Sequence, residues 1–377
     1  MTSFEQLAVK AVVNACGTLT KYGGSIMHPD VLYAMREASA NFVDMKDAQA
    51  KVGARIAALL GVPAAYVCAG ASAGLLSSAA ACMVGTDPHG ISRLPTVTGV
   101  RREIIVHRAH RNDYDQALRT AGAVLVEIGG AKRTYVWELE KAISAATAAI
   151  VYFAEFESGA ALPFRTIVGV AKRHSVPVIV DAAAELPPVS NFRRFLDEGA
   201  DLAIFSGGKD IRGPQTTGLI LGHSAMIEAI ALNASPNYSV GRSLKVGKEE
   251  LMGFLRALEL YLAEDHDERL RVWEAQVATI LEGLAELPGI RAFRKCPSDN
   301  GIQPAFIPRV YVELSGQDPA SHRAELVSRL LAGDPPVAVG EWPKGIAINP
   351  HALRRGEEEL VVRALRRCLG SPAGGSL

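Results

Sequence analysis

The sequence has few cysteines, no excess of charge and no long hydrophobic run, and each absence narrows the class of protein. Its 377 residues contain five scattered cysteines, Cys16, Cys68, Cys82, Cys296 and Cys368, without a CxxC pair. Such a sparse and odd set argues against a disulfide framework and predicts a reducing compartment. Forty basic and forty acidic side chains cancel, so no overall field attracts nucleic acid or an anionic membrane.

Other signals of location and metal binding are also lacking. Gly, Ser or charged residues interrupt every apolar stretch before it reaches membrane-spanning length. The first residues show no basic start followed by a long apolar stretch, so we expect no signal peptide and a cytoplasmic protein. The nine histidines do not cluster at metal-ligand spacing, and no metal site is predicted.

Short apolar runs alternate with helical patterns along most of the chain. Runs of strand length cover Ala65–Ala69, Ile104–His107, Ala123–Ile128, Ala149–Ala154, Pro177–Asp181, Asp201–Phe205 and Gly218–Leu221. Helical patterns such as Ser72–Met83 lie between most of them. This alternation predicts an α/β fold with a mainly parallel seven-stranded sheet and helices on both faces. The last run follows Phe205 too closely for a crossover helix, so we expect it to pair antiparallel.

A second pattern begins near residue 240. A long helical stretch, Lys248–Leu287, precedes several shorter elements. These are the strand candidates Ile290–Phe293, Arg309–Leu314, Val337–Val339 and Gly345–Ile348, and the helices Ala320–Leu331 and Glu357–Leu369. The pattern predicts a large domain at residues 1–240, a small C-terminal α/β domain at 241–370 and a disordered tail at 371–377.

Two of the predicted strands end at residues that can carry chemistry. Asp181 ends one run, and Lys209 follows the next run in the sequence Ser206-Gly207-Gly208-Lys209. Pyridoxal phosphate needs a lysine amine for a Schiff base and a carboxylate that keeps its pyridine nitrogen protonated. Neighbouring strand ends would place both groups on the same edge of a parallel sheet. Taken singly, each residue is equally explained as an ordinary buried Asp or exposed Lys.

The residues after the first strand predict a phosphate-binding segment. Gly70, Ala71 and Ser72 open a helix, and their small size lets backbone N–H groups approach an anion that the helix N-terminus also favours. An ordinary Gly/Ser helix start is the alternative. Ser206 is a second candidate phosphate ligand, and the glycines before Lys209 leave space for a flat cofactor.

Two polar loops supply further candidates. His110 lies just before a helix and can stack on a pyridine ring, whereas His107 is expected to end its strand. Arg242 lies in a basic loop before the long helix. It can bind the phosphate of a cofactor or substrate across a dimer interface, or simply belong to a solvated helix start.

Four segments together resemble a known family. They are VVNACGTLTKYGGS, VPVIVDAAAELPP, FSGGKDIRGPQTTGLILG and VGRSLKVGKEEL. They are similar to fold type I pyridoxal-phosphate enzymes related to selenocysteine synthase (L-seryl-tRNA selenium transferase), and to the smaller relatives that include D-glucosaminate-6-phosphate ammonia-lyase. The similarity runs from about Val12 to Leu369, with the lysine motif as its most specific part.

This resemblance implies roles for particular residues. Lys209 would carry the Schiff base and Asp181 would pair with the pyridine nitrogen. The other residues implied at the cofactor are Gly70, Ala71 and Ser72 at the phosphate, His110 on the ring, and Gln215 and Thr216 from a neighbouring subunit. A homodimer or a multiple of dimers follows from the same resemblance.

The chain also departs from the family pattern. Transferases that act on tRNA carry an additional N-terminal domain, whereas the catalytic pattern here begins by Val12, so we expect no tRNA substrate. His351 stands where an arginine is expected near the C-terminus. Arg354 or Arg355, with His351, is therefore predicted to bind the substrate carboxylate, unless both arginines are solvated and paired with the glutamates that follow. The segment containing Asn14, Cys16 and Thr18 is the alternative location.

These observations lead to one hypothesis and several rivals. We expect a lyase that removes water and ammonia from a 2-amino-3-hydroxy acid, a class that includes sugar amino acids, to form a 2-keto acid. A racemase or epimerase would need a second acid, for which Cys16, His110 and Tyr114 are candidates. An aldolase is a third possibility, and a pyridoxal-phosphate-binding protein without activity is a fourth.

Overall fold

The computed structural model describes residues 3–154, 159–296, 306–315 and 318–370. The predicted disordered tail, 371–377, lies outside them. Two compact units divide the described residues: 26–264 form the large unit, and 3–25 with 265–296, 306–315 and 318–370 form the small unit.

Strands and helices alternate through the large unit and recur in the small one. The strands are β1 (Val13–Ala15), β2 (Ala64–Cys68), β3 (Glu103–His107), β4 (Val124–Ile128), β5 (Thr147–Phe153), β6 (Val178–Asp181), β7 (Leu202–Ser206), β8 (Gly218–Gly222), β9 (Ile290–Lys295), β10 (Arg309–Leu314), β11 (Val337–Trp342) and β12 (Gly345–Ile348). The helices are α1 (Pro29–Ser39), α2 (Met45–Leu60), α3 (Ala71–Val84), α4 (Pro88–Arg93), α5 (Gln116–Thr120), α6 (Val136–Ala142), α7 (Phe164–His174), α8 (Asn191–Glu198), α9 (Ser224–Leu232), α10 (Lys248–Ala263), α11 (His266–Leu284), α12 (Pro319–Ala332) and α13 (Glu357–Gly370).

One mixed sheet forms the centre of the large unit. Within the described residues its seven strands have the order β2-β8-β7-β6-β5-β3-β4. Strands β3 to β7 run parallel, and β8 pairs antiparallel with both β2 and β7. Apolar clusters cover both faces, which explains why the central strands are continuous apolar runs. The predicted fold class and the antiparallel last strand are therefore confirmed.

The small unit contains a second sheet with the order β1-β11-β12-β10-β9. Its buried side chains pack with those of α11, α12 and α13 in a separate core. Strand β1 pairs parallel with β11, Val13 opposite Val337. The predicted long helical stretch divides between α10 and α11, where Asp265 accepts the Glu268 N–H at 2.9 Å and caps the second helix.

The division into units differs in two places from the boundary expected at residue 240. The first residues belong to the small unit because β1 is part of its sheet. Helix α10 belongs to the large unit because it packs along α1, where Arg256 and Asp30 form an ion pair at 2.6 Å. Long-range pairing decides both assignments, and local composition does not encode it.

Two features are absent from the described residues. None of their helices is long and apolar enough to cross a membrane. They also contain no group of three or more His, Cys, Asp or Glu side chains arranged to hold a metal ion.

Candidate active site

The carboxyl edge of the large sheet brings the predicted cofactor residues together. Gly218 begins β8 and lies opposite both Cys68, which ends β2, and Ser206, which ends β7. On the next strand, Asp181 ends β6 opposite Ile204. The segments that follow these strand ends therefore leave the sheet at the same edge, as expected for a ligand site in an open α/β sheet.

Lys209 lies in a tight loop directly after β7. The Gly207 N–H donates to Thr217 O at 2.8 Å, and the Gly213 N–H donates to Gly207 O at 2.8 Å, which closes the loop onto itself. The Lys209 side chain is half-buried. Among the described residues its ammonium has no hydrogen bond or ion pair, so the amine is available to a ligand at the sheet edge.

The two glycines before Lys209 are needed by the packing of the protein itself. A Cβ at Gly207 would overlap Thr217 Oγ1, and a Cβ at Gly208 would overlap Gln215 Oε1. We predicted that this pair leaves space for a cofactor, whereas the space beside each Cα is taken by the return of the loop to β8.

The N-terminus of α3 opens beside this loop. Gly70 precedes the helix at φ +86°, and no side chain caps it. The first bond of the helix joins the Gly74 N–H to Gly70 O at 3.0 Å, so the N–H groups of the preceding turn have no intrahelical acceptor. A Cβ at Gly218 would lie 2.6 Å from the Gly70 carbonyl carbon. Sequence reasoning missed Gly218, although an isolated glycine at a strand start often marks such a close approach.

His110 belongs to a cluster of buried rings. It ends a 3-10 turn after β3 and is fully buried, whereas a loop side chain was expected. Its ring lies 5.2 Å from that of His107 and 4.9 Å from that of Tyr152, measured between centroids. His107 ends β3 as predicted. Neither His107 nitrogen has a hydrogen-bond partner among the described residues, and burial lowers its pKa to about 4.

Asp181 is held by the turn that follows β6. The Ala183 N–H donates to Asp181 Oδ1 at 3.0 Å, and the side chain is half-buried. This backbone donor orients the carboxylate at the sheet edge and stabilises its charged form.

Arg242 lines a cavity next to the residues that flank the start of α3. This cavity has a volume of about 320 Å³ and is also lined by Cys68, Ala69, Ala73 and Ser77. The Arg242 Nε is buried and has no hydrogen-bond acceptor among the described residues. This supports an anion-binding assignment over a fully solvated helix start, because a buried guanidinium nitrogen without an acceptor is costly.

The two residues expected to reach a neighbouring subunit lie before β8. The Gln215 side chain is half-buried against Gly208, as described above, while Thr216 is exposed. Thr216 Oγ1 donates to Glu250 Oε1 at 3.2 Å, at the start of α10. Thr216 is thus presented at the surface, as a contact with another chain requires.

The remaining candidates lie in the small unit. Asn14 Nδ2 donates to Gly17 O at 2.9 Å, and the Cys16 N–H donates to Asn14 Oδ1 at 3.0 Å, which forms a compact turn after β1. Half-buried Thr18 follows this turn. A Cβ at Gly17 would lie 2.6 Å from Asn349 Nδ2, so the turn adjoins the segment that leads to His351. Burial raises the pKa of the Cys16 thiol to about 11.

The C-terminal arginines are held only through their backbone. The His351 ring packs edge-on against Trp273 at 5.5 Å. The Arg354 N–H donates to Glu357 Oε2 at 2.8 Å. Both Arg354 and Arg355 are exposed, and neither guanidinium forms an ion pair with a described residue. The expected alternative, arginines paired with the following glutamates, is therefore half right: they are solvated but unpaired.

Comparison with known proteins gives a family for this arrangement. The model of the L-seryl-tRNA selenium transferase family (SelA) matches residues 12–280, well over half of the chain. The chain belongs to this family. It is a pyridoxal-phosphate-dependent enzyme with the fold type I architecture, which confirms the resemblance and the cofactor predicted from the sequence.

Individual members of the family differ in their named reactions. A 5'-C-glycyluridine monooxygenase-decarboxylase from Streptomyces is 31% identical over 98% of this chain and 94% of its own. The D-glucosaminate-6-phosphate ammonia lyase of Salmonella typhimurium is 29% identical over 96% of both chains. A solved structure of a D-glucosaminate-6-phosphate ammonia-lyase covers 99% of this chain and 100% of its own, with 28% identity and a TM-score of 0.83.

The residues of this SelA family member fit its cofactor. The uncapped start of α3 and the close approach of Gly218 form a backbone cradle suited to a phosphate. The lysine amine without a partner and the oriented Asp181 carboxylate lie at the same sheet edge. These are the two side-chain functions that pyridoxal phosphate requires from a protein.

Proposed function

We propose that this protein is an ammonia-lyase acting on a 2-amino-3-hydroxy acid, a class that includes sugar amino acids, to form a 2-keto acid. The observation that carries the proposal is the Lys209 amine, which has no partner among the described residues and emerges at the sheet edge beside Asp181. The relative named D-glucosaminate-6-phosphate ammonia lyase, with 96% coverage of both chains, supports the reaction class.

The first group of residues binds the cofactor. Gly70, Ala71 and Ser72 would hold the phosphate through backbone N–H groups, with Ser206 as an additional donor. Arg242 would add a positive charge from the adjoining cavity. Pyridoxal phosphate, when bound, supplies an electron sink for the bonds at the substrate α-carbon.

The second group of residues would hold or move protons and would orient the cofactor ring. Asp181 would hold a proton on the pyridine nitrogen by an ion pair. His110, fixed in its ring cluster, would cover one face of the pyridine ring. Lys209 would remove the α-proton, after which the β-hydroxyl leaves as water. One water is then consumed when the nitrogen is released, so the net products are a 2-keto acid and ammonia.

The small unit is proposed to recognise the substrate carboxylate. Arg354 and Arg355 are the candidates because their guanidinium groups are exposed and unpaired among the described residues. A guanidinium can bind a carboxylate through two parallel hydrogen bonds. His351 would assist, and the turn of Asn14, Cys16 and Thr18 remains the alternative location.

A second candidate function comes from the other relative. The 31% identity to a 5'-C-glycyluridine monooxygenase-decarboxylase favours an oxygen-dependent decarboxylation of a 2-amino acid as the alternative. The same cofactor residues would serve either reaction, because the cofactor supplies the shared chemistry and the surrounding loops select the outcome.

One assay distinguishes these functions. The protein is incubated with D- and L-2-amino acids, including 3-hydroxy and sugar amino acids, and keto acid, ammonia, oxygen, carbon dioxide, aldehyde and optical rotation are measured together. We expect equal amounts of keto acid and ammonia from a 2-amino-3-hydroxy acid. Oxygen uptake with carbon dioxide release would favour the second candidate. Release of an aldehyde would indicate an aldolase, and loss of optical rotation without any other product would indicate a racemase. If no compound in this panel reacts, the proposed activity and the second candidate are both contradicted.

We also propose a cytoplasmic homodimer or a multiple of dimers. Phe42 and Tyr238 are large apolar side chains almost completely exposed on the large unit, and Thr216 is presented at its surface. Covering such apolar side chains with another chain would remove them from water, which is favourable. Sedimentation at micromolar concentration should give at least twice the 40.1 kDa mass of the chain, and a fully active monomer would contradict the proposal.

A further inference from the structure

One face of α10 lies over the lysine loop. Phe254, Ala257, Tyr261 and Glu264 follow one another at intervals of three, four and three residues along and just beyond this helix, so their side chains point in the same direction. A Cβ at Gly213, which closes the loop, would lie 3.3 Å from Phe254 and 3.5 Å from Ala257. The apolar half of this face thus packs directly on the backbone of the loop.

The first polar contact is made next to the lysine. The Tyr261 hydroxyl donates to Asp210 Oδ2 at 2.7 Å. Tyr261 is fully buried and Asp210 is 1% exposed. A buried carboxylate is expensive unless hydrogen bonds replace its lost hydration. Because Asp210 follows Lys209 directly, this bond fixes the backbone from which the amine projects.

The second polar contact is made two residues further along. Arg212 Nη2 and Glu264 Oε2 form an ion pair at 2.7 Å. Arg212 has φ +59°, a backbone conformation that residues other than glycine rarely adopt. Its N–H donates to Lys209 O at 3.0 Å. The ion pair therefore holds a residue whose unusual conformation turns the chain back under the lysine.

We propose that Tyr261 and Glu264 are positioning residues for Lys209. They hold Asp210 and Arg212, one on each side of the turn, and so keep the amine directed at the sheet edge without touching the cofactor. The proposal rests on the proposed role of Lys209. It predicts that weakening either contact slows the reaction of the amine more than it weakens binding of substrate.

The test compares three variants at Tyr261 and Asp210, and a fourth at Glu264, with a matched control. Tyr261→Phe deletes the donor, Asp210→Asn keeps an oxygen that can accept from Tyr261, and the double variant also removes the buried charge of Asp210. Tyr311→Phe is the control, since Tyr311 is also buried but lies on β10 of the small unit. Apoprotein is mixed with pyridoxal phosphate, borohydride fixes the attached fraction over time, and mass spectrometry locates it.

We expect attachment at Lys209 to slow about tenfold in Tyr261→Phe and in the double variant, with kcat falling alongside and KM nearly unchanged. Asp210→Asn and the control Tyr311→Phe should attach the cofactor at nearly the wild-type rate. Glu264→Gln should slow attachment about threefold, because it removes only the charge of one partner in a part-buried ion pair. The double variant keeps the test decisive if Tyr261→Phe does not fold.

Two outcomes would refute two different proposals, the positioning role of α10 and the role of Lys209. Wild-type attachment rates in folded Tyr261→Phe and in the double variant would show that α10 contributes stability but not positioning. Attachment of the cofactor to another lysine in the wild-type protein would instead refute the proposed role of Lys209. The peptide that carries the fixed cofactor separates these two outcomes.

Discussion

The candidate residues of the two units are held in very different ways. In the large unit, Asp181 and Lys209 follow neighbouring buried strands, and their loops are closed by backbone hydrogen bonds. In the small unit, Arg354 and Arg355 are exposed and anchored only through the main chain. Groups on rigid strand ends can hold a cofactor in one geometry, whereas exposed arginines can adapt to a substrate that arrives and leaves. If the proposed roles hold, cofactor chemistry is built into one unit and substrate choice into the other.

Replacing Lys209 should have the largest effect. Lys209→Ala removes the amine proposed to bind the cofactor covalently and to take the α-proton, so activity should fall about a thousandfold or more. The yellow absorbance of the bound cofactor should also be lost, and borohydride should fix no cofactor to the protein. Lys141→Ala, an exposed lysine on α6, is the control. If Lys209→Ala stays yellow and borohydride still fixes the cofactor to it, the reactive lysine lies elsewhere. The contrast between the two units would then lose its main residue.

Replacing the two arginines should have an intermediate effect. Arg354→Met and Arg355→Met keep chain length but remove the charge. One of them should raise the Michaelis constant about a hundredfold, as expected for losing charge-assisted hydrogen bonds of about 3 kcal/mol, with the cofactor spectrum unchanged. The other serves as its internal control and should change little. Unaltered kinetics in both would move carboxylate binding to the turn of Asn14, Cys16 and Thr18.

Replacing His107 should change stability rather than recognition. Burial lowers its folded pKa from 6.5 to about 4, so between these values the unfolded chain binds a proton that the folded chain does not. Stability contributed by neutral His107 is therefore complete above pH 6.5 and decreases as the pH falls toward 4. From pH 7 to pH 5 this amounts to about 2 kcal/mol.

His107→Phe should remove this pH dependence, which denaturation midpoints at pH 7 and pH 5 would reveal. His89→Gln, at an exposed position, should keep the wild-type dependence. Equal pH dependence in wild type and His107→Phe would mean that His107 has the same pKa in the folded and the unfolded chain. The pKa of His107 would then give no evidence that the interior of the large unit is drier than the solvated loops of the small unit.

Much of the large unit could be predicted from the chain because buried parallel strands leave a clear pattern. The runs ending at His107, Asp181 and Phe205 were placed within one or two residues of β3, β6 and β7. The residues at and after the ends of those runs, above all Asp181 and Lys209, indicated the family and its cofactor. Strand β1 escaped prediction, since three residues show no periodicity and its partner β11 lies near the other end of the sequence.

The sequence by itself determined which chemical groups are present and which strand ends carry them: an amine after β7, a carboxylate at the end of β6 and a small-residue helix start after β2. Only the tertiary structure decided what surrounds these groups. The bond from Tyr261 to Asp210, the burial of His110 between His107 and Tyr152, and the solvation of Arg354 all depend on elements distant in sequence. The physical reason is that strand order and helix packing set such neighbours, whereas local periodicity reports only the face that each residue buries.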